Sequence, residues 1–193
     1  MSNEALILFE IIIWSYGVMV SQQIANLSNR NVVCVRFAVT PPSKNRKIFN
    51  MKVLDLAKYI VDKCIKDECP ISNLQLQKIL YCIQIDFLKR GHRIFYADFE
   101  ARAFGVMIPE VYYHYCGYGV MPIADSFEEN WREIIQNKND KKVIDNIIED
   151  KRQLSVFEWC DLIQKANGAW DRIYQNGIGD GLIISTDLML KYG

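Results

Sequence analysis

The sequence predicts a mainly α (α+β) fold, a compact helical domain with a small antiparallel β element. Three observations carry that expectation. Apolar residues recur at three- and four-residue steps from Met51 onward. Three segments open on a Ser followed three residues later by Gln or Glu, the pattern of a capping box. One aromatic stretch, residues 94–107, lacks helical spacing and is broken by Gly105, as short strands would be.

The first helix is expected over Lys52 to Glu68, where Val53, Ala57, Ile60 and Cys64 form a stripe and Pro70 ends it. The second opens on Ser72 with Gln75 closing the box, and Ile71 and Leu76 stand at the staple positions. Leu76, Ile79, Leu80, Ile83, Phe87 and Leu88 form its apolar face, and Gly91 suits a left-handed stop. One or two strands follow in residues 94–107. Pro109 then suits the first position of a short helix, with Val111, Tyr112 and Tyr115 on one face. Ser126 and Glu129 make a second box ahead of Phe127, Trp131, Ile134 and Ile135. Lys141 to Lys151 carries Val143, Ile144, Ile147 and Ile148. Ser155 and Glu158 make the third box, Leu154 and Trp159 its staple, with an end at Asn167–Gly168. Trp170 to Tyr174, a Gly-rich turn, the run Leu182 to Ile184 and a last helical turn near Ser185 complete the chain.

Residues 1–50 differ in character. Ala5 to Val20 is apolar apart from Glu10 and a few small polar residues, and reads as a buried helix or strand. It is too short and interrupted for a membrane span. Val32 to Val39 has β character, and Pro41, Pro42 and Ser43 with Lys44, Arg46 and Lys47 mark a linker. The expected organisation is an N-terminal extension, 1–50, with Met51 a candidate start, and a domain, 51–193.

The 193 residues are half hydrophobic, enough to bury a core, and 23 basic residues balance 23 acidic ones. A zero net charge does not suit a protein that binds duplex by displacing counterions. Six cysteines, none in a C-x-x-C pair, and a start without secretory features point to reduced thiols and a cytoplasmic setting.

No catalytic, cofactor or metal site is expected. His92 follows Gly91 in a turn and His114 lies on a short aromatic helix, neither in a nucleophile setting. Cys64 with Cys69, and His114 with Cys116, are loose pairs rather than the four ligands of structural zinc. Gly177, Gly179 and Gly181 follow a helical segment rather than a strand, so they read as a tight turn exposing Asp180. Glu128 with Glu129, and Glu149 with Asp150, read as solvated charge. The two helices joined at Cys69 to Asn73 mimic a helix-turn-helix, and Asn73, Gln75 and Gln77 could read base edges. Lys78 is the single charge in that turn, and no phosphate-binding cluster supports it.

The aromatics are the stronger signal. Phe104, Tyr112, Tyr113, Tyr115, Tyr118 and Trp170, with Arg102 among them, are too many for one face of a core. Tyr, Trp and Arg dominate interface hot spots. They are the candidate partner-binding residues.

Over residues 72–123 the sequence resembles the SocA-like, or Panacea, antitoxin family. The resemblance rests on Leu76-Gln77-Lys78-Ile79-Leu80-Tyr81, Gly91, Phe99-Glu100-Ala101 and Phe104-Gly105. It continues through Ile108-Pro109-Glu110-Val111-Tyr112, Tyr118-Gly119 and Pro122-Ile123, and farther on through Trp170, the Gly-rich turn and the helix after Ile183-Ile184. It covers about residues 52–193 and leaves out 1–50. Two departures stand out. The family's Gly-Pro is Gly105-Val106 here, and its Thr-His ahead of Pro-Trp is Ile163-Gln164 ahead of Ala169-Trp170. The resemblance implies an antitoxin that binds and neutralises a toxin encoded beside it. Some relatives look like adaptors that pass the toxin to a Clp-type protease. An alternative is a DNA-binding regulator of its own operon or of a prophage.

Overall fold

Helix α1, Val53–Lys66, turns Leu56, Ala57, Ile60 and Cys64 inward and ends where Glu68 takes a positive φ of 55°. Helix α2, Asn73–Lys89, follows after Pro70. The structure is a computed structural model that describes residues 51–125 and 135–193, together with the backbone of 7–14, 17–25 and 32–35. The chain divides into two units, Met1–Ile48 and Phe49–Gly193.

The first unit contains an antiparallel sheet in the order β1 (Ile7–Trp14), β2 (Gly17–Ala25), β3 (Val32–Val35). Of the two readings open for the apolar run, the strand is the one adopted. The linker at 41–47 lies outside the described residues.

The second unit is organised around α2. Its capping box forms: Gln75 N–H donates to Ser72 Oγ, and Ser72 N–H donates to Gln75 Oε1 at 2.9 Å. The expected apolar face is buried, but so are Asn73, Gln77, Lys78 and Gln84 on its other sides. The reason is enclosure: α2 touches α1, the hairpin strand β5 (Gly105–Met107) and three further helices. These are α3 (Pro109–His114), α4 (Lys138–Lys151) and α7 (Thr186–Tyr192).

Strand β4, Glu100–Arg102, pairs antiparallel with β5 in the register Arg102↔Gly105, with Ala103 and Phe104 as the turn. Gly105 has φ +107°, and a Cβ there would lie 2.9 Å from Lys78 Nζ and 3.2 Å from Ile163 Cγ2. Both the conformation and the close approach require glycine. The other edge of β4 meets residues 181–184 through a bridge from Glu100 to Ile183.

Helix α3 starts at Pro109, as expected, but its faces differ from the expectation. Val111 and Tyr115, four residues apart, turn inward, whereas Tyr112 turns out with Tyr113. Helix α4 begins three residues earlier than the apolar pattern shows, because Asn137 caps Asn139 and Asp140 ahead of a polar first turn. The α4 side chain Lys141 donates to Tyr59 Oη at 2.6 Å, and Arg152 just past α4 pairs with Asp67 at 2.5 Å, fastening it to the α1 region. Helix α5, Val156–Ile163, has its Ser155/Glu158 box but stops short of Asn167–Gly168, because Gln164 already leaves helical geometry. Helix α6, Ala169–Tyr174, leads through a 3₁₀ turn to Ser185, which caps α7. The Ser126/Glu129 box with Phe127, Trp131 and Ile134 lies outside the described residues; Ile135 is buried. This unit is mainly α with a small antiparallel β element. No helix among the described residues is long and apolar enough to cross a membrane.

Candidate functional site

The turn of the β4–β5 hairpin is held from three directions. Its three successive carbonyls, those of Arg102, Ala103 and Phe104, each accept a hydrogen bond from a different part of the fold. Trp170 on α6 donates its indole N–H to Arg102 O at 2.9 Å. Gln164, just past α5, donates its amide to Ala103 O at 3.2 Å. Lys78 on α2 donates its ammonium to Phe104 O. A two-residue turn would otherwise leave the Ala103 and Phe104 carbonyls to water. Here they fix the tip, and the tip carries Phe104 with 76 % of its surface exposed.

Beside the tip lies a groove of about 300 Å³, lined by Leu74, Phe104, Met107, Tyr112 and Tyr113, with Arg102 and Asp180 also on its wall. Tyr113 is 64 % exposed and meets Tyr112 edge-on at 5.5 Å. The two sides of the groove are joined underneath. Gln77 donates to Asn73 Oδ1 at 2.9 Å and accepts from Ile108 N–H at 2.8 Å, while Asn73 donates to Tyr112 O at 3.0 Å. The result is a preformed apolar surface on rigid supports, suited to receive another protein's side chains.

Residues 76–171, about half of the chain, match the family model described as antitoxin SocA-like, Panacea domain. The chain belongs to the SocA-like Panacea family. No curated protein and no solved structure matches it.

Within this Panacea domain the structure sorts the seven candidate residues. Phe104, Tyr112 and Tyr113 come together on the groove, and Arg102 stands on its wall, paired with Glu100 at 2.6 Å and Asp180 at 3.2 Å. Tyr118 is half-buried against the core, on the turn after α3. Tyr115 and Trp170 must be corrected. Tyr115 is 1 % exposed, because it lies one helical turn from the buried Val111, and Trp170 is 7 % exposed, stacked on Tyr174 at 4.5 Å. Both rings are enclosed by the fold; Trp170 meets the tip from behind.

Sequence reasoning missed Lys78 and Gln164 as supports, and Leu74 and Met107 as lining. Lys78 carried a signal, a cation flanked by Leu76, Ile79 and Leu80. It is 3 % exposed, and burial pulls its pKa down to about 8. Gln164 stands where the family resemblance places a histidine.

The remaining candidates lie apart. His92 packs edge-on against Phe87 at 5.3 Å and His114 against Tyr115 at 4.7 Å. Among the described residues no three His, Cys, Asp or Glu converge as metal ligands. The thiols of Cys64 and Cys82 are both pushed up to about 11 by burial, which keeps them protonated at neutral pH. Of the residues that could have read DNA, Asn73 and Gln77 are buried, as is Lys78 beside them, and these three are bonded to the hairpin and α3, while Gln75 is half-buried in the capping box.

Proposed function

We propose that this protein is the antitoxin of a toxin–antitoxin pair, and that it neutralises a toxin encoded beside it by direct binding. Family membership supports the class. The observation that carries the surface is the fixed hairpin tip, which holds Phe104 exposed next to a groove walled by Leu74, Tyr112 and Tyr113. Aromatic anchors on a rigid support lose little entropy on binding and are the usual centres of interface energy. The activity is recognition, without bond-making chemistry, in a cytoplasmic setting that keeps the thiols reduced. In its adaptor form the reading adds a Clp-type protease as a third component. An operon regulator reading DNA through α2 gains no support from a helix so enclosed.

The test is calorimetry of the full chain with the product of the adjacent gene. A Phe104→Ala/Tyr113→Ala variant should bind at least about 30-fold more weakly, the equivalent of one hot spot, with an unchanged thermal melt. Unchanged affinity would remove this surface, and no binding by the native chain would remove the reading. Toxin loss that depends on both this protein and added protease would establish the adaptor form.

A further inference from the structure

The opposite edge of the small sheet carries a second opening, a crevice of about 370 Å³ lined by Gln84, Arg93, Asp98, Ile183, Ser185 and Asp187 among others. Three independent features of it ask for the same kind of ligand.

The first is backbone. Ile184 N–H donates to Phe99 O at 2.7 Å and Ala101 N–H donates to Leu182 O at 2.9 Å. Ile183 lies between these bonds, opposite Glu100. In an antiparallel ladder such a residue turns its own N–H and C=O to the far edge. The Ile183 backbone takes part in no hydrogen bond among the described residues.

The second is Gln84. It is 3 % exposed, and its Nε2 donates to Phe95 O at 3.2 Å, which fixes the amide. Its Oε1 accepts no hydrogen bond from the described residues. A buried acceptor without a partner is destabilising, and a donor relieves it.

The third is charge. Asp98 and Asp187 are exposed and make no ion pair among the described residues. The cation beside them, Arg93, is turned onto Thr186 Oγ1 and the Tyr96 ring, 5.3 Å away. The lining is left with one negative charge in excess.

We propose that this edge receives an extended peptide segment from a partner, its backbone pairing with Ile183 and a lysine or arginine side chain entering the crevice. The N–H donors of that side chain meet Asp98, Asp187 and Gln84 Oε1. Strand addition supplies affinity through the main chain, and the crevice supplies the choice of residue. The site is separate from the Phe104 groove and stands or falls apart from it.

The test is a titration of the isotope-labelled full chain with the pentapeptide acetyl-Thr-Lys-Val-Lys-Thr-amide, and with its norleucine counterpart, read at the Ile183 amide and the Gln84 carboxamide. The lysine peptide should give saturable shifts at both. Affinity should fall at least tenfold for the norleucine peptide and for an Asp98→Asn/Asp187→Asn chain, and stay unchanged for Phe104→Ala. Equal affinity for the two peptides, or no saturable shift at Ile183, would overturn the proposal. Spermidine matching the lysine peptide without moving the Ile183 amide would overturn it as well.

Discussion

The indole N–H of Trp170 donates to the carbonyl of Arg102 at 2.9 Å while its ring stacks on Tyr174. One buried side chain thus joins α6 to the hairpin whose tip presents Phe104. The ring and the N–H are separable. Trp170→Phe keeps an aromatic surface and removes the donor, leaving the Arg102 carbonyl with only its ladder partner across the turn, Gly105. We expect a loss of about 0.5–1.5 kcal/mol in urea denaturation, the net worth of one hydrogen bond, and faster hydrogen exchange at the Phe104 and Gly105 amides. Unchanged exchange there would show that the indole does not steady the tip.

Lys78 makes the tip sensitive to alkaline pH. Burial lowers its pKa to about 8, below the ordinary lysine value of 10.5. Between those two values the unfolded chain holds a proton that the folded chain has released, so this group makes stability rise with pH across that window. Below pH 8 the folded state carries the full cost of a buried ammonium, on the order of 3 kcal/mol. Lys78→Met lacks that dependence. Comparing urea unfolding of the two chains at pH 7 and pH 10 cancels the other titrating groups. The Met chain should be at least as stable at pH 7, and the native chain should gain on it by about 2–3 kcal/mol at pH 10. Parallel pH profiles would contradict the assignment.

Much of the scaffold could be read from local chemistry. The boxes at Ser72/Gln75 and Ser155/Glu158 and the cap at Ser185 are decided by residues three apart, and they form. Gly105 marks the hairpin because no other residue fits its φ or its approach to Lys78. What could not be read depends on neighbours distant in sequence. A polar residue on a helix looks solvated until the helix is surrounded, and α2 is surrounded, which buries Asn73, Gln77 and Lys78. Aromatic content pointed to the region of the groove but could not divide Tyr112 and Tyr113, which face out, from Tyr115 and Trp170, which face in. The start of α4 escaped notice because its first turn, Lys138 to Asp140, has no apolar residue to set a period.

Gln164 offers a test of what the position demands. If its role is to present one N–H to Ala103 O, then Gln164→His restores what Gln164→Ala removes. The side chain is only half-buried, so the stability change for Ala should stay within about 1 kcal/mol. The effect should show instead in exchange at the hairpin amides, faster in the Ala variant and native-like in the His variant. A His variant no better than Ala would mean that amide geometry, rather than a donor, is what the turn needs.

Gln77 is the most consequential polar residue under the groove. Its Nε2 serves Asn73 Oδ1, its Oε1 serves Ile108 N–H, and both bonds are buried. They tie the first turns of α2 to the junction of β5 and α3, the two walls between which the groove opens. Gln77→Leu preserves bulk and orphans a donor and an acceptor together, so unfolding should become easier by about 2–4 kcal/mol. Gln77→Glu separates the two bonds. A carboxylate still accepts from Ile108 N–H, but it faces Asn73 Oδ1 with no proton to give. Protonation restores that donor, so burial and the opposing oxygen should both raise the introduced carboxyl's pKa. A raised pKa means stability that is present at low pH and lost as pH rises through the folded-state value. The glutamate chain should therefore approach the native one near pH 4 and fall behind it by pH 7. Urea denaturation of both chains at the two pH values checks this. A gap that does not widen with pH would show that Asn73 turns its amide over to meet the new carboxylate, releasing Tyr112 O and loosening the wall that carries Tyr113.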